Sequence, residues 1–308
     1  MTFSIVTPCF RANTWLPLCI QSVADQRNAE KLKGRKTEIN IEHIVQDAGS
    51  DDGTLDWLPN DSRVTTYVEK DNGMYDAINR GMKRISGELC AYLNADEQYL
   101  PGALEKVAAF FAAHPGVDVV FADAVIVDAK GEYICHRKAQ VPFRDQLWFR
   151  MPVLTCAMFL RSEVFSRHQI FFDTTKKVAG DVFFVMEMQK RGLKMAVLRE
   201  FTSIFTETEG NLGVGGKADE EFLDIQRQMP RHVKKLLPLY LLYHRVRSVL
   251  SGIYRQEPFD YFCYTQTSPD QLVKHHVTQP TQIWKGRTEI DKQALEKAGQ
   301  NQPNQLDD

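Results

Sequence analysis

Apolar residues along this chain recur in two rhythms, short continuous runs and longer stretches at helical spacing. Residues 3–6 read as a buried strand ending in Thr7-Pro8-Cys9-Phe10, after which Leu16, Ile20 and Val23 share one helical face. Strand patterns return at 39–45, 64–68 and 89–93. Between the last two, Met74, Ile78, Met82 and Ile85 fall at helical spacing, and Gly87 closes that segment. A helix over about 101–113 and a strand over 117–121 continue the alternation. The pattern predicts an α/β fold, with a mostly parallel central sheet and helices on both faces. Ligands of such sheets sit beyond the carboxyl ends of the strands. Polar clusters fall there after the first, second and fourth strands, and their convergence is the first sign of function.

Composition narrows the classes. The 308 residues leave room for one large α/β domain with an appendage. Lysine and arginine total 38 against 40 acids, and the net charge of −2 gives no global pull toward nucleic acid. Six cysteines are scattered without a CxxC pair, as expected of buried thiols in a reducing cytoplasm. No signal-peptide pattern and no bilayer-length apolar run occur, so a soluble protein is expected, at most peripheral on the inner face of the cell membrane.

Local charge changes this picture in one place. Arg227, Arg231, Lys234, Lys235, Arg245, Arg247 and Arg255 follow one another without an intervening acid, interleaved with leucine, tyrosine and valine. Two readings stand: basic amphipathic helices lying on an anionic membrane surface, or a helical hairpin packed on the sheet with its cations solvated. His275-His276 is read as incidental, and the Gln- and Asn-rich residues 299–308 as a disordered tail.

Nucleotide pockets on α/β sheets usually show glycine. Neither G-x-G-x-x-G nor a P-loop is present, and Thr7-Pro8-Cys9-Phe10-Arg11 contains no glycine at all. A diphosphate bound here would need another neutralising partner, and a cation held by a carboxylate is the direct candidate. Asp96, just past a buried strand, suits magnesium or manganese, which take oxygen ligands. The alternative is an aspartate serving only a turn or helix cap.

Four ordered blocks over roughly the first 100 residues carry a resemblance. They are Ser4-Ile5-Val6-Thr7-Pro8-Cys9-Phe10, Gln46-Asp47-Ala48-Gly49-Ser50-Asp51-Asp52-Gly53-Thr54, the stretch from Glu69 through Asp71-Asn72-Gly73 to Gly81, and the stretch from Gly87 to Glu97. Together they resemble family 2 glycosyltransferases, of the bacterial surface-polysaccharide type. The resemblance implies the GT-A fold, a nucleotide-diphosphate sugar donor (a UDP-sugar), a divalent Mn2+ or Mg2+ ion and inversion at the anomeric carbon. It places Pro8 and Phe10 along the nucleoside, Asp47 beside the base and Asp71 near the ribose and base. Asn94-Ala95-Asp96 takes the DxD position, with Asp96 as the metal ligand. For Phe10 the competing reading is a core aromatic, and for Asp71 a helix N-cap. Where the family often has a second aspartate the chain has Ala48, and where it often has His-Gln the chain has Thr155-Cys156.

Ala179-Gly180-Asp181 resembles the segment of the catalytic base. That implies Asp181 as the group taking the acceptor proton, against the competing reading of a helix N-cap; Asp173 and Glu187 are next in line. The glycine-rich residues 207–216 read either as a lid that orders on donor binding or as a plain surface loop. The expected organisation is a glycosyltransferase domain over 1–220, with a nucleotide-sugar half (1–122) and an acceptor and catalytic half (123–220). A helical basic extension over 221–298 and the tail follow. The acceptor implied is a saccharide or lipid-linked saccharide. The rival functions are a sugar nucleotidyltransferase and a non-catalytic nucleotide-sugar-binding subunit.

Overall fold

A computed structural model describes residues 1–27, 39–208 and 216–284, with only the backbone course given for 216–220. The first half runs β1 (Thr2–Cys9), α1 (Leu16–Ala24), β2 (Asn40–Asp47), α2 (Thr54–Trp57), β3 (Thr65–Val68), α3 (Met74–Met82), β4 (Leu89–Tyr92), β5 (Gln98–Tyr99) and α4 (Ala103–Ala113). The second runs β6 (Val119–Val127), β7 (Tyr133–Arg137), β8 (Met158–Arg161), α5 (Glu163–Ser166), α6 (Gly180–Lys190), β9 (Met195–Thr206), α7 (Gly216–Gln228), α8 (Arg231–Leu250), β10 (Phe259–Thr265) and β11 (Ser268–Val277).

The large sheet has the order β3-β2-β1-β4-β8-β6-β9-β5, with β7 paired to β6. β1 pairs parallel with β2 and β4, β2 with β3, and β6 with β9. β8 runs antiparallel between β4 and β6. The central strands read as continuous apolar runs because both faces of the sheet are covered. β6 shows the consequence: Val119 and Phe121 enter the core beneath α3 and α6, while Val120, Ala122 and Ala124 enter the core beneath α1 and α4. This is the mostly parallel, two-faced α/β architecture expected, with a helical part at the C-terminal side.

Two features differ from the expected elements. The strand expected over 117–121 runs on to Val127, alongside the long β9. The C-terminal region also holds an antiparallel hairpin, β10–β11, which packs Tyr261, Cys263 and Val277 on Val125, Val127 and Ile204. The polar positions of that hairpin face outward and mask its apolar half in the sequence. All six cysteines are free and buried. No helix is long and apolar enough to cross a membrane among the described residues. The expected tail, 299–308, lies outside the described residues, as do 209–215 of the glycine-rich stretch.

Candidate functional site

A cleft of about 2310 Å³ opens over the carboxyl ends of the parallel strands. Pro8, Phe10, Asp71, Asn94, Ala95, Asp96 and Asp181 all line it, brought together from the ends of β1 and β4, the loop before α3 and the start of α6. Asp47 does not line it. Fully buried at the end of β2, its carboxylate accepts hydrogen bonds from Gly49 N, Ser50 N and Ser50 Oγ at 2.7–2.8 Å, which folds its own loop.

Phe10 is not a core aromatic. It is 57% exposed in the cleft, with the Arg11 guanidinium carbon 5.2 Å from its ring centroid. Arg11 in turn forms a two-pronged pair with Asp51 at 2.6 and 2.8 Å. Asp71 accepts the Gly73 N–H at 2.8 Å and still faces the cleft. Gly73, at φ 118°, is the residue preceding α3, so Asp71 shapes that helix start without being its cap residue. Burial pushes the Asp71 carboxyl above its ordinary value.

The turn after β4 concentrates oxygen. Glu97 is buried and accepts the Asn94 N–H at 2.8 Å. Burial pushes the carboxyls of Asp96 and Glu97 well above the ordinary carboxylate range, and the Asp96 charge raises Glu97 further. Asn94 Oδ1 is buried with no hydrogen-bond partner. Among the described residues no group of three or more His, Cys, Asp or Glu could hold a metal alone. A carboxylate beside an unpartnered amide oxygen nevertheless fits a magnesium or manganese ion whose remaining ligands are phosphate and water. The two adjacent histidines make no such site: His275 stacks on Tyr261 and His276 pairs with Asp260.

Asp181 occupies the second position of α6, and the cap residue is Ala179, so the cap role weighed for Asp181 is not the one it fills. Its Oδ1 accepts the Val182 N–H at 2.8 Å. Tyr75 on α3 holds the segment: its hydroxyl donates to Val178 O at 2.7 Å and accepts the Asp181 N–H at 3.2 Å. Asp173 ties its own turn through Thr175, and Glu187 pairs with Arg191; neither lines the cleft. Tyr75, Tyr92 and Thr155 also line the cleft near Asp181, and no spacing or neighbouring residue singles out the two tyrosines in the sequence.

The far wall differs in character. Residues 137–155 and α8 contribute Lys138, Arg150 and Lys234 beside Leu237 and Leu241, and no carboxylate from these segments lines the cleft. α8 packs inward through Val233, His244 and Ser248; outward it exposes Leu239, Leu242, Val246, Val249 and Leu250, the last at 82%.

Comparison with known proteins adds sequence and fold likeness. Residues 4–174 match the family described as Glycosyl transferase family 2. The chain is 31% identical over 169 residues to the PGL/p-HBAD biosynthesis glycosyltransferase of Mycobacterium bovis (strain BCG / Pasteur 1173P2), covering 53% of this chain and 60% of that one. It is 30% identical over 112 residues to the putative teichuronic acid biosynthesis glycosyltransferase TuaG of Bacillus subtilis (strain 168), covering 35% and 40% of the two chains. The match thus spans about 60% or less of these relatives' lengths. Residues 1–349 of S. aureus TarS, in complex with UDP-GlcNAc, superpose with a TM-score of 0.58 at 20% identity over 74% of this chain and 65% of that one, a likeness of fold.

Proposed function

The chain belongs to glycosyl transferase family 2, and on that premise we propose that it transfers a sugar from a UDP-sugar to a hydroxyl of a lipid-linked saccharide, with inversion, in surface-polysaccharide assembly. The observation that carries this is the cleft itself, which collects Phe10, Asp71, Asn94, Asp96 and Asp181 from four separate chain segments at the strand ends. Phe10 offers its exposed ring to the base, and Asp71 its carboxyl to the ribose. Asp96, with Asn94 beside it, would hold Mn2+ or Mg2+. Such an ion, when bound, supplies Lewis-acid neutralisation of the diphosphate. Asp181 takes the proton from the acceptor hydroxyl as the new bond forms, because a neutral hydroxyl is a poor nucleophile. TarS, which shares the fold, was captured with UDP-GlcNAc, and this supports the choice of a UDP-sugar. The relatives named for PGL/p-HBAD and teichuronic acid biosynthesis support the setting.

The choice of acceptor rests on the far wall. Cations without carboxylates, set among leucines, suit an anionic group carried on an apolar chain. The outward face of α8 continues that chemistry: exposed leucines and valines lie beside Lys235 and Arg245, as on helices that lie on an anionic membrane.

The test is turnover of UDP-sugars with Mn2+ present, read as release of UDP. Asp181→Asn should lower transfer by ~10²–10⁴-fold while donor affinity holds. Release of pyrophosphate would favour nucleotidyl transfer, and near-normal transfer by a folded Asp181→Asn protein would remove Asp181 from the mechanism.

A further inference from the structure

We propose that Glu221, on α7, is a positioning residue for the base: it clamps the three residues that lead into α6 and thereby sets where Asp181 stands in the cleft. The inference rests on the reading of Asp181 as the base. Its own foundation is geometric. One carboxylate accepts three consecutive backbone N–H groups, Lys177 on Oε1 at 2.5 Å and Val178 and Ala179 on Oε2 at 2.9 and 2.8 Å.

A helix start leaves backbone N–H groups without intrahelical partners, and a side chain at the cap position usually takes one of them. α6 lacks that device, since Ala179 has no side-chain acceptor. Glu221 serves the preceding amides from outside, 42 residues further along the chain from Ala179. Bonds from N–H groups to an ionised carboxylate are among the strong ones. Burial raises the Glu221 carboxyl, yet these three bonds outweigh it and hold the group below its ordinary value. The folded state therefore favours its ionised form.

The clamped segment is fastened on its other side to the donor loop. The Lys177 ammonium donates to Asn72 O, next to Asp71, and Tyr75 bridges Val178 and Asp181. Residues 177–181 are thus gripped between the donor loop and α3 on one side and α7 on the other. α7 also contributes Phe222 and Gln226 to the lining of the cleft. One helix therefore shapes the cleft and fixes the base, and its displacement would move both. A misplacement of ~1 Å at a reacting group costs about 10²-fold in rate, which sets the scale of the effect.

Substitution separates positioning from mere support. Glu221→Ala removes all three acceptors, while Glu221→Gln keeps one oxygen and turns an amide N–H2 toward a backbone donor. We expect kcat to fall about 10–100-fold in Glu221→Ala and less in Glu221→Gln, with donor KM unchanged. The deciding measurement is a double-mutant cycle with Asp181→Asn, made well below the unfolding temperature. If Glu221 acts through Asp181, its substitution should cost almost nothing further in the Asp181→Asn protein. An undiminished additional loss in that background, or a kcat within twofold of the parent in folded Glu221→Ala or Glu221→Gln, would overturn the proposal. Should Glu221→Ala not fold, Glu221→Gln alone decides. Failure of the base reading itself looks different, because it shows as near-normal transfer by Asp181→Asn with Glu221 intact.

Discussion

The hydroxyl of Tyr75 accepts the backbone N–H of Asp181 at 3.2 Å, across 106 residues of sequence. The same oxygen donates to Val178 O, and the ring stacks on Phe172 with centroids 5.3 Å apart and planes 10° from parallel. Tyr75 belongs to the helix that follows the donor loop, so the proposed base is located by the half of the protein assigned to the donor. The proposed donor and acceptor chemistry would therefore share one mechanical frame, and a change at Tyr75 should be felt at Asp181.

Tyr75→Phe tests that frame with the ring left in place. The Asp181 N–H and the Val178 carbonyl each lose a partner, which costs about 1–3 kcal/mol if neither finds water. Transfer should fall at least several-fold while donor affinity stays, because Asp71 and Phe10 are untouched. Urea unfolding and steady-state kinetics on one preparation check both halves; unchanged kcat would show that the hydroxyl does not locate the base.

Gly180→Ala should do more damage than a helix-interior alanine usually does. A Cβ at this position would lie 2.6–2.9 Å from three atoms of the Tyr75 ring, which is already stacked against Phe172. Overpacking of this kind costs about 1–3 kcal/mol and shifts backbone. Loss of transfer alongside lowered stability is expected, and a variant as stable and active as the parent would contradict the close approach.

How much of this was legible beforehand follows from the physics of each element. β4 and the beginning of β6 lie between two helical layers and are apolar throughout, so the run is visible in the sequence, while β1 and β2 show through Phe3, Ile5 and Val6 and through Ile41, Ile44 and Val45 among polar residues. β9 was not, because Arg199 and Glu200 interrupt it at the irregular pairing opposite Asp123. At the site, residue types were readable but directions were not. Asp47 ends a strand and Asp71 follows one, yet the first turns into its own loop and the second faces the cleft. Tyr75 and Glu221 carry no local mark, since their partners lie across the fold and only tertiary packing joins them.

The outward face of α8 gives a prediction about surfaces. Each lysine or arginine near an anionic bilayer contributes about 1 kcal/mol, so reversing two charges should weaken binding by at least tenfold. Lys235→Glu with Arg245→Glu should therefore release the protein from phosphatidylserine-containing vesicles in sedimentation, and raised salt should do the same to the parent. A parent protein that ignores such vesicles at low salt would leave α8 as a helix packed on the sheet with its cations solvated.

Metal dependence should itself depend on pH, with a sign fixed by the turn after β4. Burial holds the carboxyls of Asp96 and Glu97 above their ordinary range, so the ligand-free folded protein keeps protons there that the unfolded chain has already lost. Between the ordinary and the raised values the folded state binds more protons, and its stability must fall as pH rises. A cation requires the ionised carboxylate, so its binding releases a proton and strengthens by up to about tenfold per pH unit until the raised pKa is passed. We therefore expect Mn2+ with UDP to bind more tightly at about pH 8 than at about pH 5, and to stabilise the protein most where the metal-free form is weakest. Calorimetry in two buffers of different ionisation enthalpy would reveal the released proton directly. Asp96→Asn should remove the part of the release that comes from Asp96, and UDP affinity in that variant should no longer respond to Mn2+. Equal UDP affinity with and without metal in the parent, at every pH, would exclude Asp96 as the anchor of a cation. The diphosphate would then have to be neutralised by side chains, and Arg11 and Lys70, which both line the cleft, would be the first to test.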